Sequence, residues 1–177
     1  YKYLNSGPGS LAGLFVHEKH AKNKDLPRFA GWWNHNKETR FNMRQPFDVM
    51  EGAEGWQLSN PPILSMAAIK ASLDLFDEVG MDALREKSEK LTGYFEFLIN
   101  KIGAETLKII TPSNPNERGC QISIEIKNAD KGLHAKLTAQ HIITDWREPD
   151  VIRCAPVPMY TSFEDVYRMV STLKDLL

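Results

Sequence analysis

Apolar side chains recur at helical spacing over residues 63–76: Ile63, Leu64, Met66, Ala67, Ile69, Leu73 and Phe76. Ser59 or Asn60 can cap this helix, Pro61 and Pro62 suit its first turn, and Gly80 is placed to stop it. A second helix is predicted from about Asp82 to Lys101, with Leu84, Leu91, Tyr94, Phe95, Leu98 and Ile102 as its stripe and Gly103 at its end. The pattern then changes to short strands and helices. Leu107–Ile110 reads as a strand, and Cys120 to Ile126 alternates, so one face is buried and the other polar. Lys131–Gln140 reads as a short helix on Leu133 and Leu137, and Ile142–Thr144 and Val151–Ala155 read as two further strands. Pro156 and Pro158 break the pattern. Ser162 with Asp165 forms a capping-box signature for a last helix that turns Phe163, Val166, Tyr167, Val170 and Leu173 inward.

The first 58 residues carry less periodicity. Leu11 to Val16 is a short apolar run, read as a buried strand because it is too short for a helix. His17-Glu18-Lys19-His20 opens a solvated turn; its two histidines have no third ligand nearby in sequence, so no metal site is assigned. Residues 30–48 follow neither period and gather Trp32, Trp33, Asn34, His35 and Arg40. Rings that give area and polar groups that give direction suit a ligand loop, and they equally suit a loop packing two tryptophans onto a core. Trp56 to Ser59 reads as a short strand. The pattern thus predicts three parts: 1–58 as the end of an earlier, larger domain, 59–103 as connecting helices, and 104–177 as a small α+β domain. That domain is expected to have a three- or four-stranded sheet covered by helices.

Composition narrows the class. The chain has 177 residues, 42% hydrophobic and 25% charged, as in ordinary globular proteins. A formal net charge of −1 gives no electrostatic case for nucleic acid or an anionic membrane. No apolar run reaches the roughly 18 residues of a membrane span, and no signal-peptide pattern opens the chain. Cys120 and Cys154 lack metal-ligand spacing, and each lies in a run read as a strand, so they are expected to be buried free thiols. A cytoplasmic location is the resulting expectation. The chain starts without Met inside a segment that carries chemistry, so it is expected to be the C-terminal portion of a longer polypeptide.

That segment is Tyr1-Lys2-Tyr3-Leu4-Asn5, followed by Ser6-Gly7-Pro8-Gly9-Ser10. A lysine desolvated among aromatics loses its proton more easily, and the neutral amine can attack a carbonyl. Taken alone, the pentapeptide is read first as a lysine covering apolar surface on an edge strand. Arg153, after Val151 and Ile152, could present a planar two-donor fork to a carboxylate or simply end a strand at the surface.

Taken together, YKYLN (1–5), GWWNH (31–35), TRF (39–41), SNPPIL (59–64), LTGYFEFLI (91–99), ERGCQ (117–121) and IRCAPVPMY (152–160) resemble the C-terminal part of a kynureninase. The resemblance implies the end of the large domain of a fold-type-I pyridoxal 5′-phosphate (PLP) enzyme followed by its small domain, an α/β chain whose C-terminal part is α+β. It implies hydrolysis of L-kynurenine or 3-hydroxykynurenine to anthranilate or 3-hydroxyanthranilate and L-alanine, in tryptophan catabolism or NAD biosynthesis. Lys2 would hold the cofactor and move the substrate α-proton. Tyr1 would touch the phosphate and deliver a proton, and Trp32 would contact the phosphate. His35 would lie near the substrate ring, Asn60 with its neighbour Ser59 would bind the aryl ketone, and Arg153 would bind the α-carboxylate. The family's pattern has glycine at the position of Asn34 and often phenylalanine at that of Trp33, which bears on ring-substituent preference. A homodimer with its active site at the subunit interface is implied. This piece alone is expected to bind the cofactor weakly or not at all and to be inactive.

Two other readings stay open. Another fold-type-I enzyme, a class V aminotransferase or a cysteine desulfurase, would keep Lys2 but not need the Trp32 loop, and a desulfurase needs a reactive cysteine. A non-catalytic dimerisation module would make Lys2 dispensable.

Overall fold

The computed structural model describes residues 1–42, 46–103 and 105–177. Residues 43–45 of the aromatic loop and Ala104, the first residue of the predicted small domain, lie outside the described residues. The chain divides into two units, Tyr1–Leu75 and Phe76–Leu177.

In the second unit a four-stranded antiparallel sheet has the order β1-β2-β4-β3, with β1 Leu107–Ile109, β2 Ile122–Ile126, β3 Asp145–Arg147 and β4 Val151–Cys154. One face carries Ile122, Ile124, Ile126, Ile152, Cys154 and Trp146 into the core. Two helices close that face. α3, Met81–Ile102, contributes Leu91, Phe95 and Ile99; α5, Phe163–Leu176, contributes Val166, Met169, Val170 and Leu173. α4, Lys131–Ala139, adds Leu133 and Leu137. The capping box that starts α5 is formed: the Ser162 hydroxyl accepts from the Asp165 amide at 3.1 Å, and the Ser162 amide donates to the Asp165 carboxylate at 2.8 Å. The Ser162 amide, and then the Ser162 hydroxyl donating to the same carboxylate at 2.7 Å, hold the Asp165 carboxyl below its ordinary value.

The predicted four-stranded sheet is present, with corrections to its parts. The third strand is Asp145–Arg147 and not Ile142–Thr144: Ile142 is buried at the end of α4, whereas Ile143 is exposed. Cys120 precedes β2 by two residues and is only half-buried. In α5 the buried set is Val166, Met169, Val170 and Leu173, while Phe163 and Tyr167 stay exposed, because the helix turns one narrow stripe inward.

In the first unit, α1 is a single helical turn, Glu18–Ala21, capped by the His17 ring, whose Nδ1 accepts from the Lys19 amide at 3.1 Å. The strand expected at 11–16 does not form; Leu14 and Phe15 are exposed, Phe15 at 83%, and among the described residues no strand pairs their backbone. Trp56 ends a short 3-10 turn, Ala53–Trp56, in place of the expected strand. α2 spans Ile63–Val79, and the Pro62 carbonyl accepts the first helical bond from Met66 at 3.0 Å. Neither Ser59 nor Asn60 is therefore at the cap. The apolar stripe of α2 is present but exposed, Ile63 at 79% and Leu64 at 88%.

Candidate functional site

Lys2 sits in a tight turn. The Asn5 amide donates to the Lys2 carbonyl and the Ser6 amide to the Tyr1 carbonyl, each at 3.1 Å, with Asn5 in the left-handed region at φ 54°. Gly7 and Gly9 follow at φ 82° and 89°, values that glycine adopts without strain. Two serines of α2, seven residues apart and so on one face, pin this turn. The Ser65 hydroxyl donates to the Gly9 carbonyl at 2.6 Å, the Ser10 hydroxyl donates to the Ser65 carbonyl at 3.3 Å, and the Ser72 hydroxyl donates to the Leu4 carbonyl. Sequence reasoning missed Ser65 and Ser72, although their spacing was a signal. Lys2 itself is exposed, with its ammonium 6.0 Å from the Tyr1 ring centre, so the expected packing among aromatics is reduced to one ring at the edge of cation–π range.

The aromatic loop is built around Asn34, which is fully buried. Its Nδ2 donates to the Phe29 carbonyl at 2.8 Å and the Gly55 carbonyl at 3.2 Å, and its Oδ1 accepts from the Gly31 amide at 2.8 Å. His35 is buried too. Its Nδ1 accepts from the Asp48 amide at 3.2 Å, which leaves the proton on Nε2, 3.1 Å from the Thr39 hydroxyl. Both ring nitrogens are thus engaged within the loop, and the ring leans on Phe47 at 5.6 Å. Arg40 lies over the Trp33 ring at 4.8 Å and reaches the Trp33 and His35 carbonyls. Hydrogen bonding from Asn36, then the Lys24 ammonium 2.9 Å away, holds the Asp48 carboxyl below its ordinary value.

Trp32 is left at the surface, edge-on to Phe41 at 5.5 Å. The Trp33 amide donates to the Leu58 carbonyl at 3.3 Å, and a Cβ on Gly31 would collide with that same Leu58 backbone. This close approach brings the Trp32 segment beside Ser59 and Asn60, both exposed. The first unit therefore presents Trp32, Ser59 and Asn60 on adjoining backbone, and separately presents Tyr1 and Lys2 on a turn pinned to α2. Asn34 does not share that surface: it braces the loop from inside.

Arg153 stands on β4 in the second unit, on the sheet face opposite the isoleucines. Its Nε donates to Asp145 Oδ2 at 3.0 Å, and its Nη2 donates to the same oxygen. Hydrogen bonding from Arg153 leads the causes that hold the Asp145 carboxyl below its ordinary value. On the other face, burial pushes the Cys154 thiol up to about 12, and half-burial raises Cys120 as well. Neither is the activated thiolate that a cysteine nucleophile requires. Among the described residues no group of three or more His, Cys, Asp or Glu side chains is arranged to hold a metal, and no helix is long and apolar enough to cross a membrane.

A family model described as the kynureninase C-terminal domain matches residues 84–173, about half of the chain. Proteins named kynureninase from Myxococcus xanthus and Flavobacterium johnsoniae are 56% and 54% identical to it over 174 and 177 residues. Each match covers 98% of this chain and 41% or 42% of the relative, so the chain spans about two fifths of the length of the curated relatives it matches. Two solved structures share the fold. One is a variant protein with glycine covalently linked to its PLP cofactor, with a TM-score of 0.65 at 17% identity over 84% of this chain and 38% of that one. The other is the apo cysteine desulfurase of Thermococcus onnurineus NA1, with a TM-score of 0.67 at 14% identity over 91% and 41%.

Proposed function

Because this chain belongs to the kynureninase family, we propose that the protein containing it hydrolyses L-kynurenine, or its 3-hydroxy form, to anthranilate, or 3-hydroxyanthranilate, and L-alanine, in tryptophan catabolism or NAD biosynthesis. The observation that carries the reading is identity above one half, over nearly the whole chain, to proteins of that name. PLP is the cofactor of the reading. The groups present fit it: Lys2 is exposed and offers an amine, Tyr1 offers an exposed phenol ring beside that amine, and Trp32 an exposed indole. Lys2 would hold the cofactor, with Tyr1 and Trp32 donating to its phosphate. When bound, PLP supplies a sink for the electrons released at the substrate α-carbon.

The chain's own side chains do the rest. The Lys2 amine takes the α-proton and returns a proton to that carbon before the product leaves. The Asn60 amide, with Ser59 beside it, orients the aryl ketone while water adds, and the carbon–carbon bond next to that carbonyl then breaks. The Tyr1 hydroxyl delivers the proton that completes alanine. Arg153 takes the α-carboxylate through its guanidinium fork. His35 would lie near the substrate ring and act by shaping the loop, since both its nitrogens are engaged there. The division into a large-domain end at 1–58, connecting helices at 59–103 and a small domain at 104–177 belongs to the same reading. So do a homodimer with the site at the subunit interface, whose formation would cover the exposed stripe of α2, a cytoplasmic location, and weak or no cofactor binding by this piece alone.

The test is anthranilate fluorescence from the full-length protein with kynurenine and PLP. Release of anthranilate that is lost in Lys2→Ala is the expected result. A yellow protein that yields no anthranilate would move the reading to another fold-type-I enzyme, and a colourless, inert one to a non-catalytic module.

A further inference from the structure

The sheet face opposite the isoleucines holds an arrangement that the assignment of Arg153 alone does not use. Ser123 on β2, Arg153 on β4 and Asp145 on β3 stand in one row across the sheet, in register. Arg147 lies two residues along β3 from Asp145, hence on the same face. Asp145 Oδ2 accepts two hydrogen bonds, from Nε and Nη2 of Arg153, and forms an ion pair with Nη2 of Arg147 at 2.8 Å. A guanidinium has five N–H donors set along two usable edges. The Nε/Nη2 edge of Arg153 is taken by Asp145. Among the described residues, no hydrogen bond engages Nη1, so the Nη1/Nη2 edge is left for a ligand.

Charge makes the second half of the case. Arg153 and Asp145 alone would form a neutral pair with little pull on a carboxylate. Arg147 brings the trio to a net charge of +1, which one carboxylate neutralises. Both arginines and the aspartate are partly exposed, at 34%, 56% and 44% for their side chains, so the trio faces solvent and is open to a ligand.

We propose that Asp145 and Arg147 are positioning residues for the substrate α-carboxylate. Asp145 fixes the Arg153 fork by one edge so that the other is presented in a single orientation, and Arg147 restores the positive charge that Asp145 would cancel. The inference rests on the reading of Arg153 as the carboxylate-binding residue. It makes the trio a selector for amino-acid substrates over amines that lack the carboxylate.

The experiment is steady-state kinetics of the full-length, PLP-loaded protein with L-kynurenine, alongside inhibition by decarboxylated kynurenine, which keeps the ketone and amine. Asp145→Ala raises KM about tenfold with kcat held within about threefold, the signature of lost binding common to ground and transition states. Its inhibition constant for the decarboxylated amine stays within about twofold, which a general structural defect would not spare. Asp145→Glu recovers most of the loss, and Arg147→Gln raises KM by about threefold or more while leaving amine inhibition unchanged. An isosteric Asp145→Asn, which keeps an acceptor but not the charge, carries the test if the alanine variant fails to fold. If Arg153→Ala raises KM while Asp145→Ala and Asp145→Asn do not, the inference is overturned and the role of Arg153 stands. A lower KM in Asp145→Ala would make Asp145 a competitor of the substrate and overturn it too. If Arg153→Ala leaves KM unchanged, the reading of Arg153 falls and takes the inference with it.

Discussion

Asn34→Ala is the substitution whose effect the structure prices most directly. Asn34 is fully buried and makes three hydrogen bonds to backbone groups of Phe29, Gly31 and Gly55. Removing the amide strands one N–H and two carbonyls. At a net worth of about 1 kcal/mol for each bond, the loop loses about 3 kcal/mol, and more if water cannot reach the stranded groups. Since every 1.4 kcal/mol is tenfold, opening of the loop becomes about a hundredfold more frequent. Hydrogen exchange with mass spectrometry over residues 29–58 reads this directly, because protection tracks the free energy of local opening. The amides of Asn36 and Met50, bonded at 2.8 and 2.9 Å across the loop, should lose about two orders of magnitude of protection. The ratio of kcat/KM between kynurenine and 3-hydroxykynurenine should hold within about twofold, because Asn34 touches no surface that a substrate ring could meet. Unchanged protection would refute the bracing role, and a large change in that ratio would restore Asn34 to ring selection.

Other outcomes follow from single contacts. Ser72→Ala frees the Leu4 carbonyl from α2, and exchange over residues 2–6 should rise several-fold, with Ser65→Ala freeing the Gly9 end in the same way. Ser162→Ala should destabilise the second unit by about 1 kcal/mol in a urea melt, as loss of a helix cap does. The pH dependence has a fixed sign: the Asp165 carboxyl is held below its ordinary value of 3.8, so its contribution is full above that value and is lost as pH falls through the lower folded value. Asp165→Asn should therefore flatten the acid limb of the stability curve. Ile152→Ala, at the fully buried centre of β4, should cost about 2–5 kcal/mol by the same melt.

The sequence carried the helices well, because a stripe at helical spacing and a capping box are local signals. α3 ends at Gly103 and α5 starts at Ser162, as read from those residues. β3 was misplaced by three residues, since Asp-Trp-Arg offers only one apolar side chain while Ile142-Ile143 looks more like a strand. Ile142 is apolar for a different reason: it plugs the end of α4. The candidate site is legible as chemistry and not as geometry. Lys2, Trp32 and Asn60 were marked by residue type and by resemblance. That Asn34 and His35 are turned inward depends on amide and imidazole partners 3 to 21 residues away, and no periodicity encodes such partners. Asp145 was passed over for the same reason: its meaning lies in the cross-strand register with Arg153.

The most direct test of the account is to reduce the PLP-loaded, full-length protein with borohydride and map the modified peptide by mass spectrometry. Reduction fixes the cofactor to the lysine that holds it. The account predicts the added mass on Lys2, within the peptide that begins at or before Tyr1. Label on another lysine, or a cofactor that washes away unreduced, would contradict it.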